Sequence, residues 1–259
     1  MCIRDSDRVR RLLRFFYQQF SGVFVLNREH RDWLVGHQMG LDEERVMMTA
    51  HHVEQPVVRL ARVAKDELLD GVDRDTPTLI YAGRLSREKG LDELPGIVQR
   101  VRQRIPGVQM VICGTGPYQQ ELQRRMPSAI FTGWVDRYRL RQLYTSLDLM
   151  VFPSRFDTFG NVVLEAFCNG MPVVAYDCKG PRDIIQHGVN GFLAQDAEEI
   201  GDIIVDYFAN ELQQQAMRDN AVRRSEEYNA TAIMDRFVRD LGLGEPPVLD
   251  EIVEQRQAG

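Results

Sequence analysis

Cysteine is scarce in this sequence: Cys2, Cys113, Cys168 and Cys178 are all it holds, none of them in CxxC spacing. That scatter excludes a disulfide scaffold and the common zinc-ribbon patterns, and it reads as the reduced, buried thiols of a cytoplasmic protein. Basic charge is also in deficit. The 32 lysines and arginines stand against 38 acids, for a net charge of −6, which argues against a nucleic-acid partner. No apolar run approaches the roughly 18 residues that a membrane-spanning helix needs, and the opening residues do not read as a signal peptide. Internal repeats and low-complexity blocks are missing too. No set of residues has metal-ligand spacing; His51 and His52 are adjacent but nothing nearby completes a site, so no metal is expected. What is present, 44% hydrophobic and 27% charged over 259 residues, is an ordinary globular composition. It suffices for one large domain, or for one domain plus part of another.

The first six residues, MCIRDS, carry no cap logic and read as a non-native scar, with the genuine chain expected to begin upstream. Arg8 to Phe20 then reads as a basic helix with a broad apolar face. Two readings stay open: a packing helix with arginines toward solvent, or a helix lying on an anionic membrane surface. A strand is expected over 22–27, a helix over 28–39 stopped by Gly40, a strand over 45–49, and a linker over 51–75.

From Thr76 onward short β-rich runs alternate with helical patterns. Strands are expected over 77–83, 108–114, 129–133, 148–154, 172–177 and 191–194. Near-continuous apolar strands separated by helices imply an α/β fold, a Rossmann-like parallel sheet with helices on both faces. After Leu91, Pro95 and Gly96 mean that the helix there either starts late or bends. Helices are expected over 197–210 and 231–243, and residues 241–259 end the chain as a tail.

In such a sheet ligands bind beyond the carboxyl ends of the strands. AGRLSREKG follows the first strand of this region, with Arg84 and Lys89 on one loop. A planar guanidinium fork and a mobile ammonium together suit a diphosphate. CGTGP follows the second strand; Gly114 and Gly116 allow tight backbone geometry, but a GxGxxG fingerprint fails at Gln119. SRFDTFGNVVLEA follows the fourth. Its turn leaves amides near Phe159, Gly160 and Asn161 expected to be free at a helix start, ready for an acceptor-rich or anionic ligand. Glu165 falls among Val163, Leu164, Ala166 and Phe167, so it reads as a buried carboxylate in need of donors. Two ribose hydroxyls would supply them; so would a structural arginine. Asp157 reads either as a helix cap or as a second ligand-facing acid.

In order, GRLSREKG, GTGP, GWV, SRFDTFGNVVLEA and NGMPVVAYDCKGPRDII resemble the C-terminal, donor-binding half of a GT-B glycosyltransferase, of the retaining, nucleotide-sugar-dependent family 4 (group 1). The likeness spans about residues 20 to 240 and is most specific over 148–194. The family's pair of acids separated by seven residues stands here as Asp157 and Glu165.

The resemblance implies that Glu165 holds the ribose hydroxyls and that Asp157 meets the transferred sugar. It implies that the Phe159-Gly160-Asn161 backbone contacts sugar and phosphate, and that Arg84 and Lys89 hold the diphosphate in place of a metal ion. Gly133, Trp134 and Val135 fall where the nucleobase would lie, Trp134 packing either on the base or in the core. The implied activity is transfer of a sugar from a nucleotide-diphosphate sugar, with retention and without cofactor, to a carbohydrate, lipid or small-molecule acceptor. A lipid acceptor would give the basic first helix a role as a peripheral membrane contact.

The chain departs from the family in two ways. Asp157 is one methylene shorter than the family's glutamate. Only residues 7–50 match the first Rossmann-like domain, as its remnant, ahead of the linker and of a nucleotide-sugar-binding domain over 76–240. The segment is therefore expected to be a truncated fragment that does not turn over alone. The alternatives are a non-catalytic nucleotide or nucleotide-sugar binding module and a nicotinamide-dependent oxidoreductase; the failed third glycine weighs against the latter. Epimerase and phosphorylase variants of the same fold also stay open.

Overall fold

The computed structural model describes residues 7–242 except Gln38 and Val57. The expected scar (residues 1–6) and residues 243–259 of the expected tail lie outside the described residues. In chain order the elements are α1 (Asp7–Tyr17), β1 (Val23–Val25), α2 (Arg28–Val35), β2 (Val46–Met48), α3 (Lys65–Leu68), β3 (Thr78–Ala82), α4 (Leu94–Arg102), β4 (Gln109–Cys113) and α5 (Gln119–Arg125). They continue with β5 (Ile130–Gly133), α6 (Arg137–Ser146), β6 (Leu149–Phe152), α7 (Asn161–Cys168), β7 (Val173–Tyr176), α8 (Pro181–Ile184), β8 (Gly191–Ala194), α9 (Ala197–Phe208), α10 (Glu211–Glu226) and α11 (Ala230–Asp240). Each expected strand is present, trimmed by at most two residues at an end.

The larger of two compact units runs from Gln55 to Glu226. Its six strands are all parallel, in the order β5-β4-β3-β6-β7-β8. Every residue of β3, β6 and β7 is buried, which is why these strands read as unbroken apolar runs instead of alternating ones. On one face Leu79, Met110, Ile112, Leu149 and Val151 pack with Ile97 and Val101 of α4 and Ile200 and Ile204 of α9. Each such buried aliphatic side chain contributes about 1.5–3 kcal/mol. The chain proceeds outward from β3 to β5, then returns to pair β6 on the other side of β3. The sheet's switch point therefore lies between β3 and β6, where doubly wound folds open a crevice.

The smaller unit is built from residues up to Glu54 and from Glu227 onward. There β1 pairs in parallel with β2, and Val25, Leu34, Met39, Leu41 and Val46 form a small core against Leu13 and Tyr17 of α1. The Asn27 side chain caps α2 by accepting from the His30 amide at 2.9 Å.

Three expectations are corrected. Residues 55–75, expected within an interdomain linker over 51–75, belong to the larger unit: buried Lys65 donates to Asp148 at 2.5 Å and to the Thr76 carbonyl at 2.6 Å, and the Val63 amide donates to Ser146 Oγ at 3.0 Å. α11 does not close the 76–240 domain; it belongs to the smaller unit, where Phe237 stacks on Phe24 with centroids 4.5 Å apart. α2 ends at Gly36, whose amide caps Asp32, instead of reaching Gly40. α10 has no counterpart among the expected helices, because its apolar residues form no one-sided stripe. At Pro95 the open choice closes: α4 starts late, with the proline in its first turn. Among the described residues no helix is long and apolar enough to cross a membrane.

Candidate functional site

Tight loops at the carboxyl ends of β3, β4 and β5 are tied together by backbone hydrogen bonds. The Leu85 amide donates to the Thr115 carbonyl and the Tyr118 amide to the Leu85 carbonyl, both at 2.9 Å; the Gly114 amide donates to the Gly133 carbonyl at 2.7 Å. Gly114 and Gly116 permit this. A Cβ on Gly114 would stand 2.0 Å from the Gly83 carbonyl oxygen, and one on Gly116 2.2 Å from that of Leu85. The glycine pair thus serves loop-against-loop packing. Beneath, the Tyr81 hydroxyl donates to the Arg84 carbonyl at 3.0 Å. Burial, with the Asp157 charge adding, holds that phenol well above its ordinary range.

These loops enclose an open cavity of about 560 Å³ lined by Arg84, Gly114, Gly116, Trp134 and Val135, with Cys113 and Leu140 among its walls. Five expected site residues therefore meet at one place. Trp134 is 76% exposed, so the choice left open from sequence falls against a core tryptophan. Burial pushes the Cys113 thiol up to about 11, leaving this wall uncharged.

The remaining expected residues lie along the same sheet edge, at the switch point. The loops after β3 and β6 touch: a Cβ on Gly90 (φ +70°) would lie 1.9 Å from the Pro153 carbonyl oxygen. Across that contact Lys89 Nζ pairs with Asp157 Oδ2 at 2.9 Å, both side chains largely shielded. Asp157 Oδ1 accepts from the Gly160 amide at 2.8 Å and from the Phe159 amide at 3.3 Å. Those two amides, expected to be free for a ligand, are taken by the neighbouring carboxylate. Asp157 acts as a turn cap and as Lys89's counter-ion at once. The Phe159 side chain is buried. Gly160 takes the left-handed conformation, φ +94°, that starts α7.

Glu165 differs from expectation. On α7 the residues Val163, Leu164, Ala166, Phe167 and Cys168 are buried, while Asn161 and Glu165 are exposed and Asn169 is half-buried. At helical spacing these three form one polar stripe. The carboxylate is open to solvent along one direction, yet surrounding protein displaces enough water to raise its pKa; Arg137 at the start of α6 acts in the opposite sense. Arg137 therefore influences Glu165 through its charge.

Sequence reasoning missed a brace behind this edge. The Arg155 guanidinium lies 3.5 Å from the centroid of Tyr176, Arg155 pairs with Glu93 at 3.5 Å, and the Tyr176 hydroxyl donates to Glu93. The three residues come from the loops after β6 and β3 and from β7, and no local spacing links them. Among the described residues no three His, Cys, Asp or Glu side chains gather in a group able to hold a metal ion.

The family model described as glycosyl transferases group 1 matches residues 76–210, just over half of the chain. A GDP-mannose-dependent alpha-mannosyltransferase of Corynebacterium glutamicum is 42% identical over 113 residues, covering 44% of this chain and 26% of that protein. Sulfoquinovosyl transferase SQD2 of Arabidopsis thaliana is 38% identical over 131 residues, 48% of this chain and 25% of that protein. The chain thus spans about a quarter of the length of these curated relatives. Anabaena Alr3699/HepE, solved in complex with UDP and glucose, superposes with a TM-score of 0.74 at 22% identity, covering 92% of this chain and 67% of that one. At that identity the likeness concerns the fold.

Proposed function

The chain belongs to the group 1 glycosyl transferases, and from that membership we propose that its larger unit is the donor-binding half of a retaining family 4 enzyme. The donor is a nucleotide-diphosphate sugar. The base occupies the cavity beside Trp134 and Val135, the ribose hydroxyls meet Glu165, and the diphosphate meets Arg84 and Lys89. The sugar lies against Asp157 and the Phe159-Gly160-Asn161 turn.

The observation that carries this reading is the gathering of Arg84, Gly114, Gly116, Trp134 and Val135 around one cavity, on the sheet edge that also holds the Lys89–Asp157 pair. Breaking the bond from sugar C1 to the diphosphate oxygen leaves added negative charge on the departing group. Arg84 and Lys89 stabilise that charge as it develops, the task a metal ion performs elsewhere. An acceptor hydroxyl, from a carbohydrate, a lipid or a small molecule, takes the sugar at C1 and gives up its proton to the departing diphosphate. We propose that these 259 residues bind donor without turning over.

Relatives named for GDP-mannose and a fold neighbour solved with UDP set the choice of probes. Calorimetric titration of the chain with UDP, GDP and ADP, with Glu165→Ala beside it, tests the reading. Binding of one nucleotide, weakened at least about tenfold by the substitution (about 1.4 kcal/mol), is expected. Equal binding by the variant removes Glu165 from the site. No binding by a folded chain removes the donor reading itself.

A further inference from the structure

Arg84 lines the cavity as an exposed residue on a fixed root. Before it, the Gly83 amide donates to the Cys113 carbonyl at 3.0 Å and ties the loop to β4. The peptide after it is held at both ends. Its amide, that of Leu85, donates to the Thr115 carbonyl at 2.9 Å; its carbonyl accepts from the Ser86 amide at 3.1 Å and from the Tyr81 hydroxyl at 3.0 Å. A carbonyl oxygen can only accept, so the phenol is the donor. Of these bonds, the one from Tyr81 comes from a side chain, and its removal leaves the Arg84 carbonyl with the Ser86 amide as partner.

Tyr81 is a rigid support for that bond. It sits on β3, which pairs with β4 on one side and β6 on the other. Its ring is buried in the same core as Leu79, Leu149 and Val151. A Cβ on Gly83 would lie 3.1 Å from the hydroxyl oxygen, so the glycine leaves the phenol room to reach the loop. Burial first, and the Asp157 charge second, hold the phenol's proton well above its ordinary range, which keeps the hydroxyl a donor at neutral pH.

We propose that Tyr81 is a positioning residue of the donor site: it holds the Arg84 peptide so that the guanidinium leaves the β3 loop toward the diphosphate. In the donor reading on which this rests, Arg84 meets that group. Buried tyrosines ordinarily satisfy their hydroxyl with a nearby partner, but here the acceptor belongs to the very residue that faces the ligand. Direction matters for arginine, whose planar fork makes its paired bonds from one approach. A fork with a fixed root also loses less freedom on binding than a roaming one. Tyr81 acts through Arg84 and touches neither base nor ribose.

A double-mutant cycle of Tyr81→Phe and Arg84→Ala in the full chain tests it. UDP, GDP and ADP are titrated calorimetrically, and uridine, guanosine and adenosine by ligand-observed NMR. Phenylalanine keeps the ring in the core and removes the hydroxyl alone, so circular dichroism and a thermal melt should show the variant folded. Tyr81→Phe should weaken binding of the parent's nucleoside diphosphate about three- to tenfold. It should leave the matching nucleoside, which lacks the phosphates, unchanged. In the Arg84→Ala background it should have no effect on the diphosphate, because the group it positions is gone. A loss shared by nucleoside and diphosphate, or one that persists in that background, overturns the proposal. Arg84→Lys gives a second route: a mobile ammonium needs less direction, so Tyr81→Phe should cost less there, and an equal cost overturns the proposal. If the folded parent binds no nucleoside diphosphate, the donor reading falls and takes Tyr81's role with it. If the parent binds and Tyr81→Phe binds equally well, the role of Tyr81 falls and the donor reading stands.

Discussion

Asp157→Asn should tighten the binding of a nucleoside diphosphate, although it removes a residue assigned to the donor site. The reason lies in the 2.9 Å pair between Asp157 and Lys89, whose side chains are 18% and 30% exposed. A diphosphate can recruit Lys89 only by drawing it away from that carboxylate. A half-shielded pair of this kind is worth about 1 kcal/mol, between exposed and buried cases. Asparagine removes the charge but keeps a carbonyl oxygen to accept from the Gly160 amide. The released lysine should then bind the diphosphate about fivefold more tightly, the equivalent of about 1 kcal/mol. Lys89→Ala should act in the opposite direction. It forfeits a charge-assisted bond worth about 1.5–3 kcal/mol, offset by about 1 kcal/mol for the pair that no longer has to break. The net is a loss of roughly 2- to 30-fold. Isothermal titration at low and raised salt measures both, and the gap between the two variants should narrow as salt screens it. If Asp157→Asn weakens nucleoside diphosphate binding as much as Lys89→Ala, the competition argument is wrong and Asp157 serves the diphosphate end of the site directly.

The other predictions concern the cavity and the polar stripe. Glu165 has a raised folded-state pKa, so the folded chain holds that proton more tightly than the unfolded chain. Its ionised form therefore subtracts stability above the folded pKa and nothing below the unfolded one. Glu165→Gln should raise Tm near neutral pH, with the gain vanishing toward about pH 4. If the carboxylate receives ribose hydroxyls, nucleotide affinity should fall as pH drops through a window above the ordinary carboxylate range, and the glutamine variant should lose that dependence. Trp134→Ala should leave Tm unchanged, because the side chain is exposed. It should cost roughly 1 kcal/mol or more of nucleotide affinity through lost stacking, and should abolish any nucleotide-induced change in fluorescence from that residue. Gly116→Ala drives a Cβ to within 2.2 Å of the Leu85 carbonyl oxygen; a destabilisation of about 1–3 kcal/mol and a weakened site should follow, and an unaltered thermal melt would show that the two loops yield.

The sheet was legible because each of its buried strands advertises itself as an apolar run, and because glycine and proline punctuate the turns between them. Less was legible where structure depends on distant partners. Asp157 and Lys89 lie 68 residues apart, and nothing in either loop announces that the two charges meet. The Glu165 environment was misjudged for a different reason: its sequence neighbours are apolar, but Asn161, Glu165 and Asn169 recur at the helix period and already mark an open face. Arg137 carried no signal beyond its place at a helix start. The unit boundary escaped because α10 shows no stripe, and because a ring contact such as Phe24 with Phe237 has no trace in local pattern.

The smaller unit draws on both ends of the described chain, with the Val53 amide donating to the Tyr228 carbonyl at 2.8 Å. During synthesis, therefore, residues 7–54 leave the ribosome well before the α11 segment that completes their surroundings. The larger unit, continuous from Gln55 to Glu226, can fold while translation proceeds, because domains fold as units. Phe24 meets its ring partner Phe237 only once α11 has been made. A ribosome stalled ahead of α11 should hold a protease-resistant sheet in the larger unit while the contact of Phe24 with Phe237 is still missing.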